Sequence, residues 1–176
     1  MNDDYATFVK GLNIATKAIV SKYFYIETFK NSKYIYRERV YCYELYHQLR
    51  KYFGDDTYET LFWELDKSGH PTIKSKKKPD FIFHIPGTID NLVIVEIKSL
   101  ERAHNNTNGF IKDLETLKEF TSTHKYGNGI CLLFGGNEKM WNKIEKIVKQ
   151  ELTSTEQQKI EVFFQKEVGL DILKMV

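Results

Sequence analysis

Lys78-Pro79-Asp80-Phe81-Ile82-Phe83-His84 and Asn91-Leu92-Val93-Ile94-Val95-Glu96-Ile97-Lys98 decide the fold of this chain. The apolar runs 81–85 and 92–98 flank a turn-rich stretch, Pro86-Gly87-Thr88-Ile89-Asp90-Asn91, and this pattern predicts an antiparallel hairpin. With the turn centred on Thr88, Ile82 faces Ile94 and Asp80 faces Glu96, which sets the two carboxylates about 5 Å apart as cross-strand neighbours. Side chains alternate along a strand, so Glu96 and Lys98 share the face of Asp80. Phe81, Phe83, Val93, Val95 and Ile97 take the opposite face. His84 also shares the face of Asp80, opposite Leu92, but four strand residues set it roughly 13 Å from the acids. It reads as a hairpin-end residue.

Two acids and a lysine gathered on one hairpin suit phosphodiester chemistry. Mg²⁺, for which Mn²⁺ substitutes, is a hard cation that takes oxygen ligands and shares its shell with substrate phosphate. A bound ion polarises the phosphoryl oxygen, and a lysine nearby positions water or offsets transition-state charge. Glu44, on a helix packed beside the hairpin, is placed to complete the shell or hold a water. An ordinary surface hairpin would also account for an Asp after a turn proline and a solvated Glu-Lys pair. Leu92 to Ile97 is too apolar for an exposed strand, however. Glu96 interrupts that run where an unpaired charge is costly, which points to a function.

The set Glu44, Pro79-Asp80 and Glu96-Ile97-Lys98 resembles the PD-(D/E)XK superfamily of restriction-endonuclease-like nucleases, in particular its small stand-alone bacterial members. The likeness runs from about Arg37 to Gly135 and takes in the Lys112-Asp113-Leu114 helix and the strand from Gly129 to Phe134. It implies an α/β fold with a restriction-endonuclease-like core, a central mixed sheet flanked by helices in the order α-β-β-β-α-β. It also implies Asp80, Glu96 and the main-chain carbonyl of Ile97 as metal ligands, Lys98 as the catalytic lysine and Glu44 as an accessory acid. Relatives often carry a lysine just before the leucine equivalent to Leu117, where this chain has Thr116; Lys112 and Lys118 are the alternatives.

A length of 176 residues fits one domain with a substantial core. Within it, 1–36 forms an N-terminal helix and aromatic connector, 37–135 the core, and 136–176 a C-terminal helix and strand. The net charge of +2 excludes a basic field over the whole molecule, so attraction to nucleic acid must come from local patches. Lys74, Lys76, Lys77 and Lys78, immediately before Asp80, form the best such patch. They would hold phosphates at the mouth of the site, although a lysine run is more often a solvated loop. Cys42 and Cys131 lie in apolar patterns without metal-ligand spacing, which predicts buried, reduced thiols. No signal peptide and no transmembrane-length run is present, so a cytoplasmic location is expected.

Along the chain, Asp3 or Asp4 is placed to cap a first helix with Tyr5, Phe8, Leu12, Ala15 and Ile19 on one face. A second helix is predicted over Glu38 to Phe53, with Tyr41, Leu45, Leu49 and Tyr52 on its stripe and Gly54 ending it. Glu44 and Gln48 border that stripe, and a boundary pairing with Arg37, Gln48 or Lys51 explains Glu44 equally well. Thr57 to Asp66 reads as a strand beside the hairpin, and its Glu64 competes with Glu44 for the accessory role. Ser99 to Gly109 reads as a polar loop able to close over substrate. Then follow a helix over Phe110 to Thr121, a strand over Gly129 to Phe134, a helix over Glu138 to Glu151 and a strand over Ile160 to Gln165. All tyrosines but Tyr126 fall in the first 58 residues. Tyr23, Tyr25, Tyr34 and Tyr36 invite a stacking surface for unpaired bases, but packing or a subunit interface accounts for them with less invention.

The expected function is Mg²⁺-dependent hydrolysis of DNA, duplex first, in restriction, phage defence or DNA processing, the pathway resting on family analogy. Restriction members of the family often form homodimers to cut both strands, and a partner subunit is an equal option. The competing reading is a catalytically silent nucleic-acid-binding or assembly module that keeps the nuclease fold.

Overall fold

A computed structural model of the chain describes residues 2–28, 34–54, 61–63, 77–84 and 91–175. Helix α1 (Asn2–Ala18) and the single turn α2 (Ser21–Phe24) lead into a small hairpin, β1 (Ile26–Glu27) with β2 (Tyr34–Ile35). Helix α3 (Glu38–Phe53) precedes the main sheet. Its strands are β3 (Leu61–Trp63), β4 (Phe81–His84), β5 (Asn91–Ser99), β6 (Tyr126–Phe134), β7 (Ile160–Gln165) and β8 (Leu173–Lys174), adjacent in that order. Helices α4 (Leu100–Asn105) and α5 (Thr107–Ser122) connect β5 to β6, and α6 (Glu138–Glu151) connects β6 to β7. The sheet is mixed, with β5, β6 and β7 parallel and the remaining neighbours antiparallel. The protein is therefore α/β, a mixed sheet between two layers of helix.

Strand character follows from burial. Leu92 to Ile97 and Gly129 to Phe134 are buried without interruption, as central strands covered on both faces must be. Phe81, Phe83, Val93, Val95 and Ile97 pack with α1 and α3, through Phe8, Leu12, Tyr41 and Leu45. Ile82, Ile94, Cys131 and Leu133 pack on the other face with Phe110, Leu114, Leu117, Trp141 and Ile144 of α5 and α6. Asp80, Glu96 and Lys98 thus belong, by alternation, to the face turned toward α5.

The predicted hairpin register holds over Phe81↔Val95, Ile82↔Ile94 and Phe83↔Val93. A shift then pairs His84 with Asn91 instead of Leu92, because a bulge absorbs one extra residue there. The ranges of α3, α6 and β7 agree with the sequence, and β3 lies beside the hairpin as expected. The remainder of the 57–66 strand, Glu64 included, lies outside the described residues.

Three expectations need correction. The segment 99–109 is not a loop: Ser99 accepts from the Arg102 N–H at 3.3 Å and Asn106 from the Gly109 N–H at 2.9 Å, each opening a helix. Its polar residues are caps, and α5 begins at Thr107 in consequence. The first helix starts at Asn2, so Asp3 and Asp4 lie within its first turn. Tyr52 is 37% exposed and Phe53 is buried in its place.

Much of the tyrosine-rich N-terminal region is packed inward, while Tyr34, Tyr43 and Tyr52 are exposed. Tyr41 stacks on Phe134 at 3.9 Å and its hydroxyl donates to Gln165 Oε1 at 2.7 Å. Tyr36 packs edge-on against Phe24 and Phe134, and Tyr25 meets Tyr34 across the β1–β2 hairpin. Gly135 (φ +67°) needs to be glycine, since a Cβ there would meet the Tyr36 ring at 2.2 Å.

Candidate active site

Main-chain pairing between β4 and β5 ends at Phe81↔Val95. Just beyond it the half-buried Asp80 takes over: Oδ2 accepts the Ile97 N–H at 2.7 Å. Pro79, buried and without an N–H, sits where the strand has not begun. Glu96, only 9% exposed, is hydrogen-bonded to Asp80 side chain to side chain. The two carboxyls are brought together as the register requires.

Lys98 ion-pairs with Asp113 of α5, with only 13% and 23% of the two side chains exposed. Asp113 was not singled out from sequence, although a signal existed. Phe110, Leu114, Leu117 and Thr121 make the buried stripe of α5, and Asp113 stands among them at helical spacing. Glu38, in the first turn of α3, is the other acid missed. It accepts the Ser99 N–H at 3.1 Å and the Arg102 guanidinium at 2.7 Å, tying α3 to the end of β5 and to α4.

Of the two α3 acids, Glu38 is the one whose charge acts on Asp80 and Lys98. The Glu44 side chain accepts from Gln48 at 2.7 Å. A step of six residues turns it about 240° around the helix from Glu38. Glu38 lies three and four residues before the buried Tyr41 and Cys42, on the stripe that faces the sheet. A cavity of about 680 Å³ opens at this point, bounded by the first turn of α3, Tyr43, Asp80 and Arg102; Glu44 does not line it.

Burial dominates the electrostatics. It pushes the Asp80 carboxyl up to about 7; the Ile97 hydrogen bond opposes this, Asp113 and Glu38 add to it, and Lys98 opposes it. Burial raises Glu96 well above the carboxylate range, reinforced by Asp80 and Asp113. Asp113 is raised by burial despite Lys98 and Arg102. For Lys98, burial works against the charge, but Asp113 and Glu38 outweigh it, so the amine is held protonated. Glu96 keeps a proton and shares it with Asp80, because two adjacent buried acids cannot both ionise without a countercharge.

This donor set fits a hard divalent cation, which would replace the shared proton as countercharge. Ile97, whose N–H orients Asp80, is the adjoining main-chain position. Among the described residues no group of three or more His, Cys, Asp or Glu side chains is arranged to hold a metal, so the fit rests on this pair of carboxyls.

The remaining sequence candidates are dispersed. Lys77 pairs with Glu119 of α5 at 2.9 Å, Lys78 is exposed, and Lys74 and Lys76 lie outside the described residues. Thr116 is buried and its hydroxyl bonds the Lys112 carbonyl; Lys118 is turned to Glu151, and Lys112 is exposed. The His84 side chain is outside the described set. Cys42 and Cys131 are buried and free, and Cys131 is the β6 neighbour of Glu96. No described helix is long and apolar enough to cross a membrane. Compared with protein-family models, with curated proteins and with solved structures, the chain finds no match in any of the three.

Proposed function

We propose that this chain is a metal-dependent nuclease that hydrolyses phosphodiester bonds of DNA, built on a restriction-endonuclease-like core of the PD-(D/E)XK type. The observation that carries the proposal is the contact between Asp80 and Glu96, two acids whose carboxyls burial pushes up, with a cationic lysine two residues further on. The order α3, β3, β4, β5, α4, α5, β6 is compatible with the α-β-β-β-α-β core, with the short α4 as an addition before α5. A strand-borne acid pair that costs folding energy is a feature of sites selected for chemistry.

Asp80 and Glu96 would hold Mg²⁺ or Mn²⁺, with the Ile97 carbonyl as the family analogy implies. When bound, the ion supplies Lewis acidity toward the phosphodiester. Lys98 contributes fixed positive charge where charge develops on the phosphoryl oxygens, and the Asp113 ion pair holds its amine in place. Since Lys98 is held protonated, it serves as an electrostatic group and not as a base. Glu38 anchors Arg102 at the cavity, where the arginine side chain is 64% exposed and able to meet a phosphate.

Cleavage of DNA in Mg²⁺ or Mn²⁺ tests this directly, comparing wild type with Asp80→Ala and Lys98→Ala. Metal-dependent cutting by the wild type, lost in both variants, is the expected result; cutting that persists unchanged in both contradicts the site. The silent-module reading is favoured by one observation, the engagement of Lys98 by Asp113. It predicts nucleic-acid binding without turnover under every metal condition.

A further inference from the structure

The outer face of α3 runs away from the cavity beside Asp80, and its composition is unlike that of an ordinary solvated helix. Arg39, Tyr43, His47 and Arg50 recur at helical spacing and are all exposed, Tyr43 by 51%. Two cavities adjoin this face. The 680 Å³ cavity at the N-terminal end is lined by Arg37, Arg39, Tyr43, Asp80 and Arg102, and a second of about 360 Å³ is lined by Tyr46, His47, Arg50 and Lys51. Tyr46 joins the face to the site: its ring stacks on Phe81, the residue after Asp80, at 6.1 Å, and the Arg50 guanidinium lies 5.9 Å from the same ring.

We infer that this face is a single-strand tract which delivers unpaired nucleotides to Asp80 and Glu96, resting on the nuclease reading above for the nature of the ligand. Cations spaced along a groove meet successive phosphates, and an interleaved aromatic ring stacks a base. Tyr43, 51% exposed, is the ring placed to meet a base; Tyr46 stacks on Phe81 and has the Arg50 guanidinium near its ring. A cavity of 680 Å³ suits a ligand of nucleotide size. Intact duplex, its bases already stacked and paired, offers Tyr43 no free face. From Arg39 to Arg50 the tract spans about 16 Å, room for a few nucleotides. The occupant is single-stranded DNA, the nucleic acid of the nuclease reading.

Fluorescence anisotropy with labelled single-stranded DNA, duplex DNA and single-stranded RNA, in EDTA so that no cutting occurs, tests the tract apart from catalysis. The variants are Tyr43→Ala and the double variant Arg39→Gln/Arg50→Gln, with thermal melts confirming that these exposed substitutions leave the fold intact. Single-stranded DNA should bind at least tenfold more tightly than duplex. Tyr43→Ala should weaken that binding about tenfold. Each arginine removed should lower the slope of log affinity against log salt by about 0.7. A preference for single-stranded RNA over single-stranded DNA overturns DNA as the occupant. Duplex bound as tightly as single strand, or variants that bind like wild type, overturns it. DNA cleavage that depends on Asp80 while the tract variants bind normally would leave the nuclease reading standing and remove only this inference. Variant-sensitive single-strand binding without cleavage would do the reverse.

Discussion

Glu96 and Asp80 settle the character of the site, because neither is at ease as an anion where the fold places it. Burial holds Asp80 near 7 against an ordinary 3.8, and Glu96 is shifted in the same direction. The sign of the consequence follows from proton uptake. Between about pH 4 and 7 the folded chain keeps a proton that the unfolded chain has lost, so this pair's stabilising contribution is fully present below pH 4 and is lost as pH rises toward 7. Asp80→Asn retains an acceptor for the Ile97 N–H but has no charge to bury. Calorimetric melts of metal-free protein should therefore show the variant more stable than wild type at pH 8, by on the order of 1–3 kcal/mol, with the difference vanishing near pH 4. Parallel pH profiles for the two proteins would contradict the buried-acid account.

At the scale of elements, the site is assembled from four pieces: the start of β4, the middle of β5, the first turn of α3 and the inner face of α5. The hairpin was legible in the sequence because alternation and a turn fix register, and the register held until the bulge at His84. Glu38 was harder to see, since Glu44 borders the same apolar stripe and only the helix's rotation against the sheet distinguishes them. Asp113 was hidden by a different cause: partnership with Lys98 is a tertiary contact, and a charged residue on a helical stripe reads equally well as boundary. The 99–109 segment was misread because Ser and Asn favour both loops and helix caps, and capping geometry decides between them. Those caps set the start of α5 and hence the height of Asp113. Asn106→Ala should lower stability by about 1 kcal/mol, a drop of roughly 2–4 °C in Tm, as measured by thermal melts. An unchanged Tm would mean that the cap contributes nothing to holding α5.

Over the whole molecule, charge is arranged rather than abundant. A net charge of +2 gives no long-range attraction for nucleic acid, and the acids of the site are buried while arginines line the cavity and the outer face of α3. Both faces of one sheet are filled, so the Asp80–Glu96 contact is flanked by two packed cores, with Glu96 shut away from water and Asp80 reaching the cavity. On the proposed function, a divalent cation is the countercharge this pair would take. Calorimetric titration of Mn²⁺ into metal-stripped protein at pH 6 and pH 8, with Asp80→Asn and Glu96→Gln alongside, tests this most directly. A single stoichiometric site in the wild type, tighter at pH 8, releasing protons on binding and lost in both variants, is the predicted result. Wild-type protein that takes up no ion at pH 8, or variants that bind Mn²⁺ as it does, would contradict the assignment of Asp80 and Glu96 as a metal site.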